Sequence, residues 1–136
     1  MDKELREKLI SAAWQAREQA YVPYSGFAVG AAALGGDGRI YSGCNIENAS
    51  YGLTNCAERT AVFNMVSQGC QHLTAIAVCG GDGKPVCFPC GACRQALLEY
   101  EMLAKALVEV LLVGRDKVFR LPSVASTLPF AFTDFE

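Results

Sequence analysis

Histidine is almost missing from this sequence: 136 residues contain one, His72. A metal site of one histidine and two cysteines would have to recruit it, yet no glutamate stands two residues beyond it. It lies between Gly69-Cys70 and an apolar run, which marks a loop or capping position rather than a ligand. Basic runs are missing as well. With 12 Lys and Arg against 14 Asp and Glu the formal charge is -2, which leaves no electrostatic footprint for a polyanion, so nucleic acid is not an expected partner. Apolar runs such as residues 108–113, interrupted by Glu109, are far too short to span a bilayer, and the first eight residues are charged rather than apolar. No membrane partner and no export are expected. An even cysteine count is missing too: seven argue against a fully paired disulfide framework and fit a reducing compartment, with the cytoplasm as the expected location.

What is present suits one compact domain over residues 1–136, because 51% of the residues are apolar and 19% charged. Residues 2–20 place Leu5, Leu9, Ala12, Ala13, Ala16 and Ala20 at helical spacing, with charges opposite, and Tyr21-Val22-Pro23 stops that helix. Residues 27–34 and 40–47 read as strands of a hairpin around Gly35-Gly36-Asp37-Gly38. Further along, the pattern predicts a helix at 57–68, a buried strand at 73–79, a helix at 91–100 and strands at 108–113 and 118–121. This alternation implies an α/β layered sheet. Only Gly114-Arg115-Asp116-Lys117 separates the last two strands, too little for a parallel crossover, so that pair should be antiparallel. The apolar stretch Leu128-Pro129-Phe130-Ala131-Phe132 belongs to no predicted element.

Chemistry concentrates at two predicted helix starts. Pro89-Cys90-Gly91-Ala92-Cys93 is a Cys-x-x-Cys opening a helix, and Cys56 stands well upstream where another helix begins. Unpaired N–H groups and the helix dipole favour a thiolate there, by about 0.3–1 kcal/mol per charge. Three such thiolates, if they converge, hold a zinc ion and leave its fourth position to water, the pattern of a catalytic centre. A redox pair or two plain buried thiols would also account for the Cys-x-x-Cys alone. Glu58, two residues after Cys56, is placed to handle a proton of the metal's water without binding the metal; alone it also reads as an ordinary first-turn helix acid. The two halves together, Cys-Ala-Glu and then Pro-Cys-x-x-Cys, form the three-cysteine variant of the zinc-deaminase signature.

Four blocks carry a family resemblance: 24–32 (Tyr-Ser-Gly-Phe-Ala-Val-Gly-Ala-Ala), 45–49 (Asn-Ile-Glu-Asn-Ala), 56–61 (Cys-Ala-Glu-Arg-Thr-Ala) and 89–95 (Pro-Cys-Gly-Ala-Cys-Arg-Gln). In order and spacing the chain resembles the small, homotetrameric, zinc-dependent type of the cytidine and deoxycytidylate deaminase family over nearly its full length. The resemblance implies a three-layer α/β/α fold with a mixed five-stranded sheet. It implies one zinc per chain on Cys56, Cys90 and Cys93, and Glu58 as proton shuttle. Substrate contacts would come from Phe27 against the base, Asn45 and Glu47 on the ribose hydroxyls, Ala57, and Phe132 reaching over the nucleoside from a neighbouring subunit. The implied reaction is hydrolytic deamination of free cytidine and deoxycytidine in pyrimidine salvage, with zinc-bound hydroxide attacking C4 and ammonia leaving. Three thiolates give a divalent zinc a formal charge near -1, and Arg59, next to Glu58, is placed to draw charge from the sulfurs.

The remaining cysteines, Cys44, Cys70, Cys79 and Cys87, read as small buried hydrophobes, with Cys87 the one that could compete for metal. Three other functions stay open on the residues themselves. A deaminase of another amino-heterocycle would share the signature; a structural zinc module would close the metal with a fourth protein ligand and have no use for Glu58; a redox protein would cycle Cys90 and Cys93 without zinc.

Overall fold

The Asp2 side chain accepts the Leu5 N–H at 2.8 Å and starts helix α1, which runs Lys3–Arg17. The computed structural model describes residues 1–135. Strands β1 (Val29–Gly35) and β2 (Ile40–Cys44) follow as the expected hairpin, then α2 (Ala57–Ser67), β3 (Leu73–Gly80), α3 (Gly91–Ala104), β4 (Glu109–Val113) and β5 (Val118–Leu121). Single 3-10 turns occupy Tyr51–Leu53 and Ala125–Thr127. No described helix is long and apolar enough to cross a membrane.

The five strands lie in the order β2-β1-β3-β4-β5. β1 pairs antiparallel with both β2 and β3, β3 pairs parallel with β4, and β4 pairs antiparallel with β5 as the short connection requires. Alternation along the strands sorts the core into two halves. Ala32, Leu34, Ala75, Ala77, Leu111 and Val113 face α1 and its Leu9 and Ala13. Ala31, Ala33, Ile76, Val78, Val110 and Leu112 face the other way, onto Val62 and Met65 of α2 and Leu97 and Leu98 of α3. Helices therefore cover both faces of a mixed five-stranded sheet, the three-layer α/β/α arrangement expected from the resemblance.

Element ends differ from expectation for local reasons. α1 stops at Arg17 rather than at 20 because Tyr21 joins the sheet's edge: its N–H donates to Asn45 O at 3.0 Å and its carbonyl accepts the Glu47 N–H at 2.9 Å. β1 begins at Val29, two residues late, since the Phe27 carbonyl is taken by the Asn45 side chain. β2 ends at Cys44, so Asn45 and Glu47 lie beyond it in a segment that bridges Tyr21 and Asn55 through Ile46. α3 continues past Tyr100 to Ala104 because its buried face continues through Glu101.

Two glycines set the helix-to-sheet distance. A Cβ on Gly30 would overlap the Ala13 carbonyl of α1, and one on Gly43 would overlap the Ala61 amide of α2. α2 is thereby seated directly on the hairpin, and its first residues are carried to the site described below.

Glu101 is only 5% exposed. Burial alone would raise its pKa, but N–H groups of Val108, Val124 and Ala125 and the Ser123 hydroxyl donate to it at 2.7–3.0 Å, and the net direction is downward. A carboxylate with a depressed folded pKa stabilises the fold above its unfolded pKa and loses that contribution as pH falls through the folded value. Glu101→Gln is expected to cost roughly 2–3 kcal/mol at pH 7, since an amide cannot accept all four donors. It should also weaken the fall in stability as the pH drops from the ordinary carboxylate range to below it, where the parent's depressed carboxylate takes up its proton. Urea unfolding across that range measures both.

Candidate active site

Cys56 is the N-cap of α2 and Cys90 the N-cap of α3, each with extended backbone. The Cys90 sulfur accepts the Cys93 N–H at 3.5 Å, which folds the Cys-x-x-Cys around the first turn. The two helix starts meet: the sulfurs of Cys56 and Cys90 are 3.7 Å apart, and the ligand atoms of Cys56, Cys90 and Cys93 all lie within 4.8 Å of one another. Cys93 is buried, Cys56 half-buried and Cys90 exposed, so the cluster opens toward one side.

Positive potential converges on these sulfurs from two helix N-termini and from Arg59, whose Nη2 donates to Cys56 Sγ at 3.3 Å. The Arg59 Nε is buried without a hydrogen-bond partner among the described residues. A half-spent buried guanidinium is matched by negative charge on the sulfurs beside it. Hydrogen bonding from Cys93, then Arg59 and Cys90, outweighs burial and holds the Cys56 thiol down to about 5. The proton stays on Cys93, raised by that same hydrogen bond to Cys56 and by burial. Without metal the cluster thus carries a thiolate at neutral pH, and a divalent ion would displace the remaining protons. The donor set fits zinc: three soft ligands at bonding reach, charge-compensated, with no fourth His, Cys, Asp or Glu in the cluster among the described residues.

Glu58 is 3% exposed, and burial above all pushes its pKa up to about 7. It lines a cavity of about 140 Å³ together with Ala57, Asn45, Val29, Cys56 and Cys90. Thr54, Asn55, Cys87 and Phe88 complete that wall. None of Val29, Thr54, Asn55 or Phe88 is a candidate on sequence grounds. Asn55, immediately before Cys56 and bonded through Nδ2 to Thr60 Oγ1 at 3.0 Å, could have been suspected from adjacency alone. Cys87 lines the cavity but stands outside the sulfur cluster, and burial pushes its thiol up to about 11. Cys70 and Cys79 are buried, Cys44 is half-buried, and His72 sits exposed in the loop before β3.

Of the other candidates, Asn45 lines this cavity, and Phe27, Glu47 and Phe132 do not. Asn45 accepts the Val29 N–H at 2.9 Å and donates to Phe27 O at 2.8 Å, keeping a second N–H and lone pair unspent. Glu47 accepts the N–H groups of Tyr24 and Ser25, both at 3.1 Å, and the Ser25 hydroxyl. It lines an adjoining hollow of about 330 Å³ with Tyr24, Ser25, Tyr51 and Thr54, and Thr54 borders both spaces. The Phe27 ring lies against Gly80 and Gly81, beside Cys87, where a side chain on either glycine would strike it. Phe132 is not brought to this chain's own cavity; it is 65% exposed and packs edge-on against Phe135 with ring centroids 5.8 Å apart.

Three thiols from two helix N-termini, a buried acid beside them and an open cavity in front define a zinc-dependent hydrolase centre rather than a closed structural site. Comparison with known proteins narrows the class. The model of the cytidine and deoxycytidylate deaminase zinc-binding region matches residues 3–109. A cytidine deaminase of Sporosarcina psychrophila is 50% identical over 127 residues, covering 93% of this chain and 90% of that protein. One of Halalkalibacterium halodurans is 52% identical over 128 residues, 94% of either chain. The crystal structure of cytidine deaminase from Burkholderia pseudomallei superposes with a TM-score of 0.84 at 47% identity, covering 97% of this chain and all of that one. The chain belongs to the cytidine and deoxycytidylate deaminase family.

Protein prepared with zinc should carry about one ion per chain by mass spectrometry, and Cys93→Ala far less. Strong chelators should strip the parent slowly, with proton uptake as the sulfurs are released.

Proposed function

We propose that this chain hydrolyses free cytidine and deoxycytidine to uridine and deoxyuridine with release of ammonia, acting as one domain over its 136 residues. The observation that carries the reading is the buried carboxyl of Glu58 set between the three-sulfur cluster and a small cavity. Zinc held by Cys56, Cys90 and Cys93 supplies Lewis acidity toward water. Glu58, with a pKa near neutrality, takes a proton from the attacking water and passes it to N3 of the pyrimidine, then takes the second proton from the new C4 hydroxyl and delivers it to the departing amine as the C4 carbonyl forms. Water adds at C4, the C4–N bond breaks, and the products are the uracil nucleoside and ammonia. Ala57, fully buried at the first position of α2, gives the base a backbone edge beside Glu58. Asn45 and Glu47 offer their unspent hydrogen-bonding capacity to the ribose hydroxyls, and Phe27 flanks the base. Arg59 draws charge from the Cys56 sulfur.

The same reading makes the protein a cytoplasmic homotetramer of pyrimidine salvage in which sites are shared. Supporting it are seven unpaired cysteines and the exposed rings of Phe130 and Phe132, which do not line their own chain's cavity but can cover a nucleoside in a neighbour's.

Zinc-loaded protein incubated with cytidine should release ammonia with the matching absorbance loss, and Glu58→Gln should lower turnover by about 10²–10⁴-fold while keeping zinc and fold. Absence of ammonia from both cytidine and deoxycytidine, with zinc present and the protein folded, would sink the substrate assignment and turn the search to other amino-heterocycles. Light scattering should give the mass of four chains.

A further inference from the structure

The start of α3 touches more than the cavity. After Cys93 come Arg94 and Gln95, and both reach the C-terminal segment. Arg94 donates from Nε to Pro89 O at 2.8 Å, the carbonyl just before Cys90, and from Nη1 to Thr127 O at 3.2 Å. Gln95 Nε2 donates to Phe132 O at 2.8 Å. Two helical turns further on, Glu101 holds the backbone of Val124 and Ala125 and the Ser123 hydroxyl. The chain from 122 onward is thus fastened along the length of α3.

Regular structure contributes little to ordering this segment. Beyond one 3-10 turn the described residues from 128 to 135 have no regular structure, and only Leu128 and Ala131 pack against the core. The Phe130 ring is fully exposed and Phe132 is mostly so. Irregular backbone with outward-facing rings keeps its conformational entropy unless fixed from outside, and a terminal segment loosens first. Arg94 suits this task because its rigid fork joins two carbonyls at once, one on the ligand loop and one on the tail, which a single ammonium does less well.

We infer that Arg94 and Gln95 are positioning residues that register the C-terminal segment, and with it Phe132, against the sulfur-bearing end of α3. The inference rests on the reading that Phe132 covers the nucleoside in a neighbouring copy. Arg94 sets the height of the tail relative to Cys90, and Gln95 fixes the backbone from which the Phe132 ring projects. Neither touches the reacting atoms, so their contribution lies in binding rather than in the chemical step.

The test uses zinc-loaded enzyme carrying Gln95→Met, Arg94→Lys or Phe132→Ala, read by steady-state kinetics with cytidine, zinc content and amide hydrogen exchange of residues 126–134. In Gln95→Met, loss of one net hydrogen bond should raise KM and speed exchange around residue 132 by about fivefold, with kcat and zinc unchanged. Arg94→Lys should do the same around Thr127, and Phe132→Ala should raise KM at least as far. Parental exchange and KM in both Gln95→Met and Arg94→Lys, with Phe132→Ala impaired, overturn the clamp and leave the role of Phe132 standing. Parental KM in Phe132→Ala overturns that role, and the clamp's part in binding with it. Zinc loss in Gln95→Met also overturns the clamp, because the residue would then be supporting the ligand loop.

Discussion

Three sulfurs within 4.8 Å cannot all be charged unless positive potential is gathered around them, and most of the site follows from that requirement. Two helices begin at the same place, so their unpaired N–H groups face the cluster; Arg59 adds a full charge against Cys56, and a metal ion supplies the rest. The same electrostatics act on Glu58 in the opposite sense. It sits one residue into α2, where a carboxylate is ordinarily stabilised, yet burial and the neighbouring Cys56 charge raise its pKa toward neutrality. A carboxyl whose pKa lies near 7 emerges from the contest between a helix terminus and a dry, sulfur-rich wall.

The sheet's contribution is closeness. Alanines fill both faces of β1, and Gly30 and Gly43 leave no side chain where α1 and α2 cross, so backbone meets backbone. α2 could not rest on the hairpin over a residue bulkier than Gly43 without Cys56 moving away from Cys90. Small residues in the hairpin are therefore as much a part of the metal site's geometry as the cysteines, although none is a ligand. The bulk of the core lies deeper, in β3, β4 and the facing sides of α2 and α3, where it anchors the helix bodies whose ends carry the chemistry.

The local patterns were legible because they are local. The β1–β2 hairpin, the antiparallel β4–β5 pair and the two helix-opening cysteine motifs each depend on a few consecutive residues with their own turn or capping chemistry. The pairing of β1 with β3 and the parallel alignment of β3 with β4 join residues far apart in the chain, and period alone does not specify them. Asn45 and Glu47 illustrate a subtler gap. Alternation along a strand would aim both at one ligand, but the strand ends at Cys44, and each side chain first satisfies backbone groups: Phe27 and Val29 for one, Tyr24 and Ser25 for the other. Such side-chain-to-backbone bonds at element ends arise from orphaned peptide groups, and the sequence does not display which groups will be orphaned.

α3 ties these levels together. Its first turn presents two sulfurs, its second reaches the tail through Arg94 and Gln95, and its last buried turn clamps the tail's beginning through Glu101. A helix is stiff along its axis, so the Cys90 backbone and the Phe132 backbone share one frame of reference even though the exposed ring does not line its own chain's cavity. If that ring serves a neighbour, each α3 is fixed at once to the metal of one site and the cover of another. Closely packed elements transmit displacement rather than absorb it. Geometry imposed at the sulfur cluster is then carried toward the tail through the hydrogen bonds that Arg94 and Gln95 make to it.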